Sequence, residues 1–438
     1  MQFLLILAAA LAAAWALPRL RRVASVGCSY KAKALASAYF VSGLTPDPER
    51  APEIADEAYR LMRLFRARVD RESKSVTASF LGLQPRTAAY RPGFGATLTP
   101  GPLPPPPPWK APAPESDLPA RETPALIPIL DAAFAEPGPR RRRTRAIVVL
   151  HDGAVVGERY APGITATTPL NGWSMTKSVM GALIGTLVRE GKLGLADKRL
   201  LPQWNGPGDP RAEIALEDLL RMRSGLRFSE VYADPLSDVT RMLFDGFDAG
   251  GFAASLPLEA PPGTRWKYAS GTTNILSLIA RGAVGEADYP SWPRRVLFDP
   301  LGMPSALIEP DAAGTFIGSS FMFATARDWA RFGLLYANGG RGALPEGWAA
   351  FGASPTPQAP NGRYGAHWWL KLSPELGGGT AAADRIPPDA FHALGHEGQC
   401  LSVVPSRRLV VVRLGVSIDI KAWDHAAFLA DLLDALPA

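Results

Sequence analysis

Two pairs of short, apolar, β-rich runs lie far apart in the sequence and enclose a long region without a strong strand pattern. The runs are 146–150 and 155–160 in the first pair, and 398–404 and 409–416 in the second. A turn-forming segment separates the members of each pair, which favours two hairpins. The enclosed residues 195–345 have helix and loop patterns punctuated by Gly and Pro. The pattern predicts an α/β (α+β) fold, in which both hairpins join one antiparallel sheet flanked by helices, with a helical region inserted between them.

Three apolar segments have helical periodicity. The longest, 174–190, is followed by Gly191, a residue type that commonly ends helices. A second segment, 216–222, is short, and a third, 423–436, lies near the C-terminus. We expect the first of these helices to begin at Ser174.

Composition excludes several classes of protein. Of the 438 residues, 47% are hydrophobic and 20% are charged, which is typical of globular proteins with two or three packed units. The net charge of +6 comes partly from arginine clusters at 19–22 and 140–145 rather than from a basic helix stripe, so nucleic acid binding is not favoured. The two cysteines, Cys28 and Cys400, form no disulfide framework or metal-binding cluster, and two free thiols are favoured over one bridge.

The N-terminus carries an unbroken apolar run, Phe3 to Leu17. Fifteen residues match the apolar part of a secretory signal and fall short of the ~20 that span a bilayer comfortably. The arginines at 19–22 follow the run and would favour a cytoplasmic downstream domain, which conflicts with secretion. We interpret residues 1–22 as a signal or anchor that contacts a membrane, in preference to a buried helix, and expect a periplasmic or membrane-anchored protein of the cell envelope.

The rest of the chain divides into three parts. Residues 23–100 form an N-terminal extension, with an amphipathic helix predicted at 50–70. Residues 101–118 are a proline-rich linker whose core, Pro105 to Pro108, must be extended. Residues 119–438 form the domain that carries the chemistry.

Ser174 and Lys177 are three residues apart at the start of the long helix, and this spacing places both side chains on one face. A serine hydroxyl becomes a good nucleophile when a nearby base takes its proton, and a buried lysine amine can be that base. The helix N-terminus also offers N–H groups to a developing oxyanion. The motif alone leaves open a Ser174 that merely caps an ordinary helix.

Two further elements strengthen the catalytic interpretation. Tyr268 lies in a loop before a helical run and could relay a proton to a leaving group. Near the C-terminus, Gly398 would let a substrate approach the backbone closely. The N–H of Gln399 could then join that of Ser174 in an oxyanion hole.

The order Ser-x-x-Lys, Tyr-x-Ser and His-x-Gly resembles the three-motif pattern of the serine β-lactamase and penicillin-binding-protein superfamily. Four shorter signatures agree: 172–178, 190–193, 218–220 with 224–226, and 395–399. They are most similar to the class C-like branch that contains esterases, D-amino-acid-specific peptidases and 6-aminohexanoate-dimer hydrolase. The resemblance covers about residues 120–435 and implies a β-lactamase/transpeptidase-like fold, with an acyl-enzyme on Ser174 and with Lys177 and Tyr268 managing the proton.

Two positions depart from the family pattern. Ser270 replaces the Asn that binds the substrate amide, and His396 replaces a permanently charged Lys that binds a carboxylate. Ester or small-amide hydrolysis is therefore favoured over efficient β-lactam cleavage. The predicted substrate-binding residues are Ser270, His396, Gly398 and Trp369. No cofactor is expected, because the acyl-enzyme chemistry requires none. No metal is expected, because glycines break any helix that would pair His392 with His396.

The sequence thus predicts a serine hydrolase that acts on a small ester or amide. A D,D-peptidase or weak β-lactamase is the alternative enzyme, and a penicillin-recognising sensor without turnover is the alternative from another class. Because an unperturbed imidazole titrates near pH 6.5, we also expect His396 to bind anionic substrates better at pH 5.5 than at pH 8.

Overall fold

The computed structural model describes residues 2–47, 51, 60–106 and 118–437, and it leaves aside the side chains of residues 2–15 and 60–61. Within these residues the helices are α1 (Gln2–Phe40), α2 (Ile127–Phe134), α3 (Met175–Arg189), α4 (Leu216–Leu220), α5 (Asp238–Phe244), α6 (Ala249–Ala254), α7 (Ser270–Val284), α8 (Ala326–Ala337), α9 (Trp348–Gly352) and α10 (His425–Ala435). The strands are β1 (Phe65–Asp70), β2 (Ser75–Phe80), β3 (Leu83–Arg91), β4 (Gly95–Thr99), β5 (Thr144–His151), β6 (Ala154–Tyr160), β7 (Leu170–Asn171), β8 (Leu307–Ile308), β9 (Met322–Ala324), β10 (Phe391–Gly395), β11 (Gln399–Val404) and β12 (Leu409–Gly415).

Both predicted hairpins lie in one five-stranded antiparallel sheet, of order β10-β11-β12-β5-β6. The first hairpin turns at Asp152 and Gly153, whose φ angles of 55° and 75° are typical of a type I′ turn. Strand β12 pairs with β5, with Leu409 opposite His151, so the two ends of the domain close the sheet together. This arrangement confirms the predicted architecture.

The sheet is covered on both faces, which explains why its strands are continuously apolar. Along β5, Ile147 and Val149 join the apolar cluster that includes residues of α2 and α10. Val148 and Leu150, which alternate with them, join the main core together with residues of α3 and α8. Helix α3 is almost wholly buried in that core, and the nucleophile candidate lies directly before it.

The inserted region is mainly helical, as the sequence predicts, and it also contributes strands β8 and β9 to a small sheet that the sequence pattern missed. Strands β7, β9 and β8 form this three-stranded antiparallel sheet. The strands are only two or three residues long, too short for a period-2 pattern to be visible. Strand β7 leads directly into the turn before α3 and so positions the site.

The N-terminal part is a helix packed on a four-stranded antiparallel meander, β1-β2-β3-β4. The amphipathic helix predicted at 50–70 is wrong where the structure describes it, and residues 50 and 52–59 of that span lie outside the described residues. A short 3-10 turn, Arg60–Leu64, precedes β1, whose residues alternate in exposure because β1 pairs with β2. Cross-strand pairing therefore overrides the weak helical pattern.

A buried ion pair joins the N-terminal unit to the remainder of the protein. Lys33 of α1 pairs with Glu309, and both side chains are nearly inaccessible to solvent. Glu309 also accepts hydrogen bonds from the Ala96 N–H (2.6 Å) and the Ser37 hydroxyl (2.9 Å). These contacts attach α1 and the meander to the remainder of the protein.

The apolar run Phe3 to Leu17 lies in the first part of α1, almost wholly among residues whose side chains are not described. Across the described residues, no helix is long and apolar enough to cross a membrane. Of the predicted proline-rich linker, residues 102–106 have no regular structure and 107–117 lie outside the described residues. Cys28 and Cys400 are both free and buried.

Candidate active site

A tight turn between β7 and α3 presents Ser174. Trp173 has a left-handed backbone with φ 48°, an uncommon conformation for a bulky residue. Its N–H donates to Asn171 Oδ1 (2.8 Å), and Gly172 lies so close to Trp329 that a Cβ there would be 2.3 Å from the indole. Among the described residues, the Ser174 N–H donates to no partner, and the Ser174 side chain makes no cap bond to α3. Both groups remain available to a ligand.

Lys177 lies beside Ser174, as the spacing predicts. Its Nζ is 2.8 Å from Ser174 Oγ, 3.0 Å from Ser270 Oγ and 2.9 Å from the Ser319 carbonyl oxygen. The side chain is buried, and this burial lowers the pKa of the amine to about 8, against an opposing effect of Glu230. An appreciable share of Lys177 is therefore neutral near pH 8, which a general base requires.

Glu230 is a central residue of the site that the sequence analysis missed. It accepts the Ser270 N–H at Oε2 (2.8 Å) and the Ser270 hydroxyl at Oε1 (2.5 Å). Ser270 is fully buried and does not line the cleft, so its predicted contact with substrate is corrected: it connects Glu230 to Lys177. Burial raises the pKa of Glu230, and Lys177 opposes that shift.

Tyr268 lies at the same cleft, directly before α7. Its ring centre is 5.0 Å from Lys177 Nζ and 5.1 Å from the ring of Trp369. Burial and the nearby Glu230 raise the pKa of the phenol, and interactions with Ser174 and Trp369 only partly offset this. Tyr268 therefore holds its proton, which suits a donor to a leaving group. Trp369 lines the cleft, where the sequence places it.

The predicted oxyanion role of Gln399 needs correction. His392 of β10 exchanges two backbone hydrogen bonds with Trp369 on the outer edge of the sheet, at 2.7 and 2.8 Å. Hydrogen-bonded pairs alternate along an antiparallel ladder, so Gly395 exchanges its bonds with its partner Gln399 on the inner side. The Gln399 N–H is thereby occupied, and the outer N–H groups include that of His396, which lines the cleft with Ser174.

Gly398 has a different role from the predicted one. Its φ is 80°, and a Cβ there would lie 2.6 Å from the guanidinium of the buried Arg413. Gly398 is absent from the cleft wall, so it makes room for Arg413 rather than for a substrate. The close approach occurs instead at Gly395, where a Cβ would lie 2.2 Å from the carbonyl oxygen of Gly172. This contact brings the end of β10 beside the turn that carries Ser174.

His396 forms an aromatic wall of the cleft. Its ring stacks on Tyr232, with centroids 4.9 Å apart and planes at 14°, and meets the Trp173 indole edge to face at 5.2 Å. Burial lowers the pKa of His396 to about 4. This lowered pKa favours a neutral ring from pH 5.5 to 8 and argues against the predicted switch in this range. His392 and His396 do not face a common metal position, because the Nδ1 atom of His392 hydrogen-bonds Ser402 Oγ (2.8 Å) inside the fold.

If His396 stays neutral, the preference between anionic and neutral substrates should not depend on pH. We expect the ratio of kcat/KM for matched anionic and neutral esters to stay constant within about a factor of two from pH 5.5 to 8. The ratio cancels the titration of Lys177, which affects both substrates equally. A ratio that rises severalfold toward pH 5.5, and that His396→Gln abolishes, would show that His396 gains a proton to bind the anion.

The cleft above Ser174 has a volume of about 370 Å³. Its described wall combines Tyr268, Trp369 and apolar residues with three carboxylates, Glu230, Glu375 and Glu397, and contains no Lys or Arg. Such a wall accommodates neutral or cationic groups and gives no direct partner to a substrate carboxylate.

The sequence and the fold both match one family. The family model described as Beta-lactamase matches residues 130–415, which is more than half of the chain. The protein therefore belongs to the beta-lactamase family and is a hydrolase of the serine β-lactamase and penicillin-binding-protein superfamily. Its fold is β-lactamase/transpeptidase-like, as the resemblance implied.

The individual relatives include proteins described as hydrolases. The 6-aminohexanoate-dimer hydrolase of Paenarthrobacter ureafaciens is 26% identical over 326 residues, covering 67% of this chain and 79% of that protein. A Bacillus anthracis structure provisionally described as a 6-aminohexanoate-dimer hydrolase is 22% identical, with a TM-score of 0.58 over 75% of this chain and 90% of that one. EstCE1, described as a hydrolase with promiscuous acyltransferase activity, is 15% identical, with a TM-score of 0.54 over 71% and 97% of the two chains.

Proposed function

We propose that this protein hydrolyses a small ester or amide through an acyl-enzyme on Ser174. The observation that carries the proposal is the 2.8 Å contact between Ser174 Oγ and the Nζ of a buried lysine whose pKa is lowered to about 8. This pair supplies a nucleophile and a base that is partly neutral at ordinary pH.

In acylation, neutral Lys177 takes the Ser174 proton while Oγ attacks the substrate carbonyl. The N–H groups of Ser174 and His396 bind the oxyanion, since both lie at the cleft wall on neighbouring backbone segments. Tyr268 gives its proton to the leaving alcohol or amine and regains one from Lys177. In deacylation, water attacks the acyl carbonyl and the proton transfers run in reverse.

The cleft favours substrates that are neutral or cationic beside the scissile bond. Its wall has three carboxylates and no Lys or Arg among the described residues, and His396 is neutral. The curated relative's name adds amides of 6-aminohexanoate to the candidates. A D,D-peptidase or weak β-lactamase remains the second candidate, on the strength of the solved structure of a penicillin-binding protein homolog from Caulobacter crescentus, with a TM-score of 0.53. Location in the cell envelope stays a prediction.

A substrate panel tests the proposal on the full chain. We expect turnover of neutral p-nitrophenyl esters, short D-amino amides or 6-aminohexanoate oligomers at a higher kcat/KM than that of nitrocefin, which bears a carboxylate. A burst of one acyl equivalent without steady hydrolysis would identify a sensor instead. Preference for nitrocefin would contradict the charge argument and favour the β-lactamase alternative.

A further inference from the structure

Lys177 has three polar neighbours, and they differ in what they can do. The Ser319 carbonyl oxygen only accepts hydrogen bonds, and it lies 2.9 Å from Nζ. The Ser270 hydroxyl commits its proton to Glu230 Oε1 at 2.5 Å, so toward Lys177 Nζ it also acts as an acceptor, at 3.0 Å. Ser174 Oγ is the third neighbour, at 2.8 Å.

A neutral amine has two N–H groups and one lone pair. Ser319 and Ser270 each accept one N–H, which leaves the lone pair of Lys177 for the Ser174 hydroxyl. The direction of the Ser270 proton decides this outcome. If Ser270 turned its proton toward Lys177 instead, it would occupy the lone pair, and the base would be unavailable to Ser174.

We propose that Glu230 is a positioning residue that, by holding the Ser270 proton, aims the lone pair of Lys177 at Ser174. The inference rests on the proposed function, because it describes how the base of that reaction is prepared. In this role Glu230 and Ser270 act through Lys177, and Glu230 also borders the cleft.

Burial raises the pKa of Glu230, whereas Lys177 and the position of Glu230 at the N-terminus of α7 favour its charged form. Ser270 is the first residue of α7, whose N-cap, Ala269, has no side chain that could cap the helix. Glu230 accepts the Ser270 N–H, and a carboxylate at a helix N-terminus is stabilised by the helix dipole. A purely structural role for Glu230, as the cap of α7, is the competing explanation that an experiment must separate.

Few other charges face Lys177. The titratable groups near it in the described residues are Glu230, Tyr268 and His367. Burial raises the pKa of Tyr268 and lowers that of His367 to about 4, so both are neutral near pH 8. Glu230 supplies the negative charge that raises the pKa of Lys177 against the effect of burial.

The test measures the rate at which a fluorophosphonate labels Ser174, as a function of pH, in the full-length protein. In Glu230→Gln, we expect the acid limb of the profile to move to lower pH, because the charge that raises the pKa of Lys177 is gone. We also expect the plateau rate at high pH to fall by about tenfold or more, because the single oxygen of the Gln amide replaces the two that accept the Ser270 N–H and hydroxyl, so the hydroxyl is held less firmly and can donate to the lone pair. A role limited to capping α7 would lower the melting temperature and move the acid limb, because the charge is lost in either case, but it would leave the plateau rate unchanged.

Ser270→Ala provides the second arm, since it removes the hydroxyl that could occupy the lone pair. We expect its plateau rate to fall by about tenfold, because one amine N–H loses its acceptor. In the double variant, Glu230→Gln should cost little beyond Ser270→Ala alone. Equal costs of Glu230→Gln with and without Ser270, or an unchanged rate in Ser270→Ala, would overturn the inference. An unlabelled wild-type protein would overturn the proposed function itself.

Discussion

Replacing Ser174 by alanine should reduce hydrolysis by roughly 10⁴- to 10⁶-fold and abolish labelling by a fluorophosphonate. The substitution removes the atom that forms the acyl bond, and no other group in the described cleft is placed 2.8 Å from a buried amine in the same way. Stability should change little, because the Ser174 hydroxyl makes no cap bond to α3. We expect the melting temperature to stay within a few degrees of the wild-type value, measured by circular dichroism.

A matched control uses a serine remote from the cleft. Ser255, an exposed residue at the end of α6, can be replaced by alanine without contact to the site, and this variant should hydrolyse and label like the wild type. Stoichiometric labelling of Ser174→Ala would place the nucleophile elsewhere. Peptide mapping of the labelled wild type would then identify the residue.

The sequence predicted contacts between residues that lie close together in the chain. Ser174 and Lys177 are one helical turn apart, so their contact follows from helix geometry alone. The hairpins of the main sheet also followed from short apolar runs and their turns. Tyr268 required the order of three motifs, because nothing in its own surroundings distinguishes a catalytic phenol from a core tyrosine.

Glu230 could not be found in the same way. It lies forty residues before Ser270 in a segment without a motif, and only tertiary packing brings the two together. The low pKa of His396 has a similar origin, since Trp173 and Tyr232 enclose its ring from distant parts of the chain. Burial of this kind has no local signature in a sequence.

The error at Gln399 has a different cause. A motif identifies which residues are near the oxyanion, but the N–H that faces the cleft depends on the phase of the antiparallel ladder. The pairing of His392 with Trp369 reveals that phase, and no short motif reports it. A shift of one residue reverses which N–H groups are free. The prediction therefore identified the correct segment but assigned the oxyanion to the N–H of Gln399, which is used within the sheet.

Replacing Lys177 by alanine should slow acylation by about a thousandfold or more, because Ser174 loses its base. In the wild type, we expect kcat/KM to rise with pH up to about 8, since protonation of Lys177 at lower pH removes the lone pair. At pH 7 about one lysine in ten is neutral by that pKa. Lys177→Ala should lose this acid limb together with the activity.

Chemical rescue separates a base from a merely structural lysine. The truncated side chain leaves space beside Ser174 and the Ser319 carbonyl, where a small primary amine such as ethylamine can bind and accept the proton. We expect added amine to restore part of the acylation rate in Lys177→Ala, in proportion to the neutral amine present at each pH. Lys177→Met is the matched control, because its side chain fills the space and should prevent rescue. A loss below tenfold in Lys177→Ala would rule out Lys177 as the base, and equal rescue of both variants would show that the amine acts from solvent.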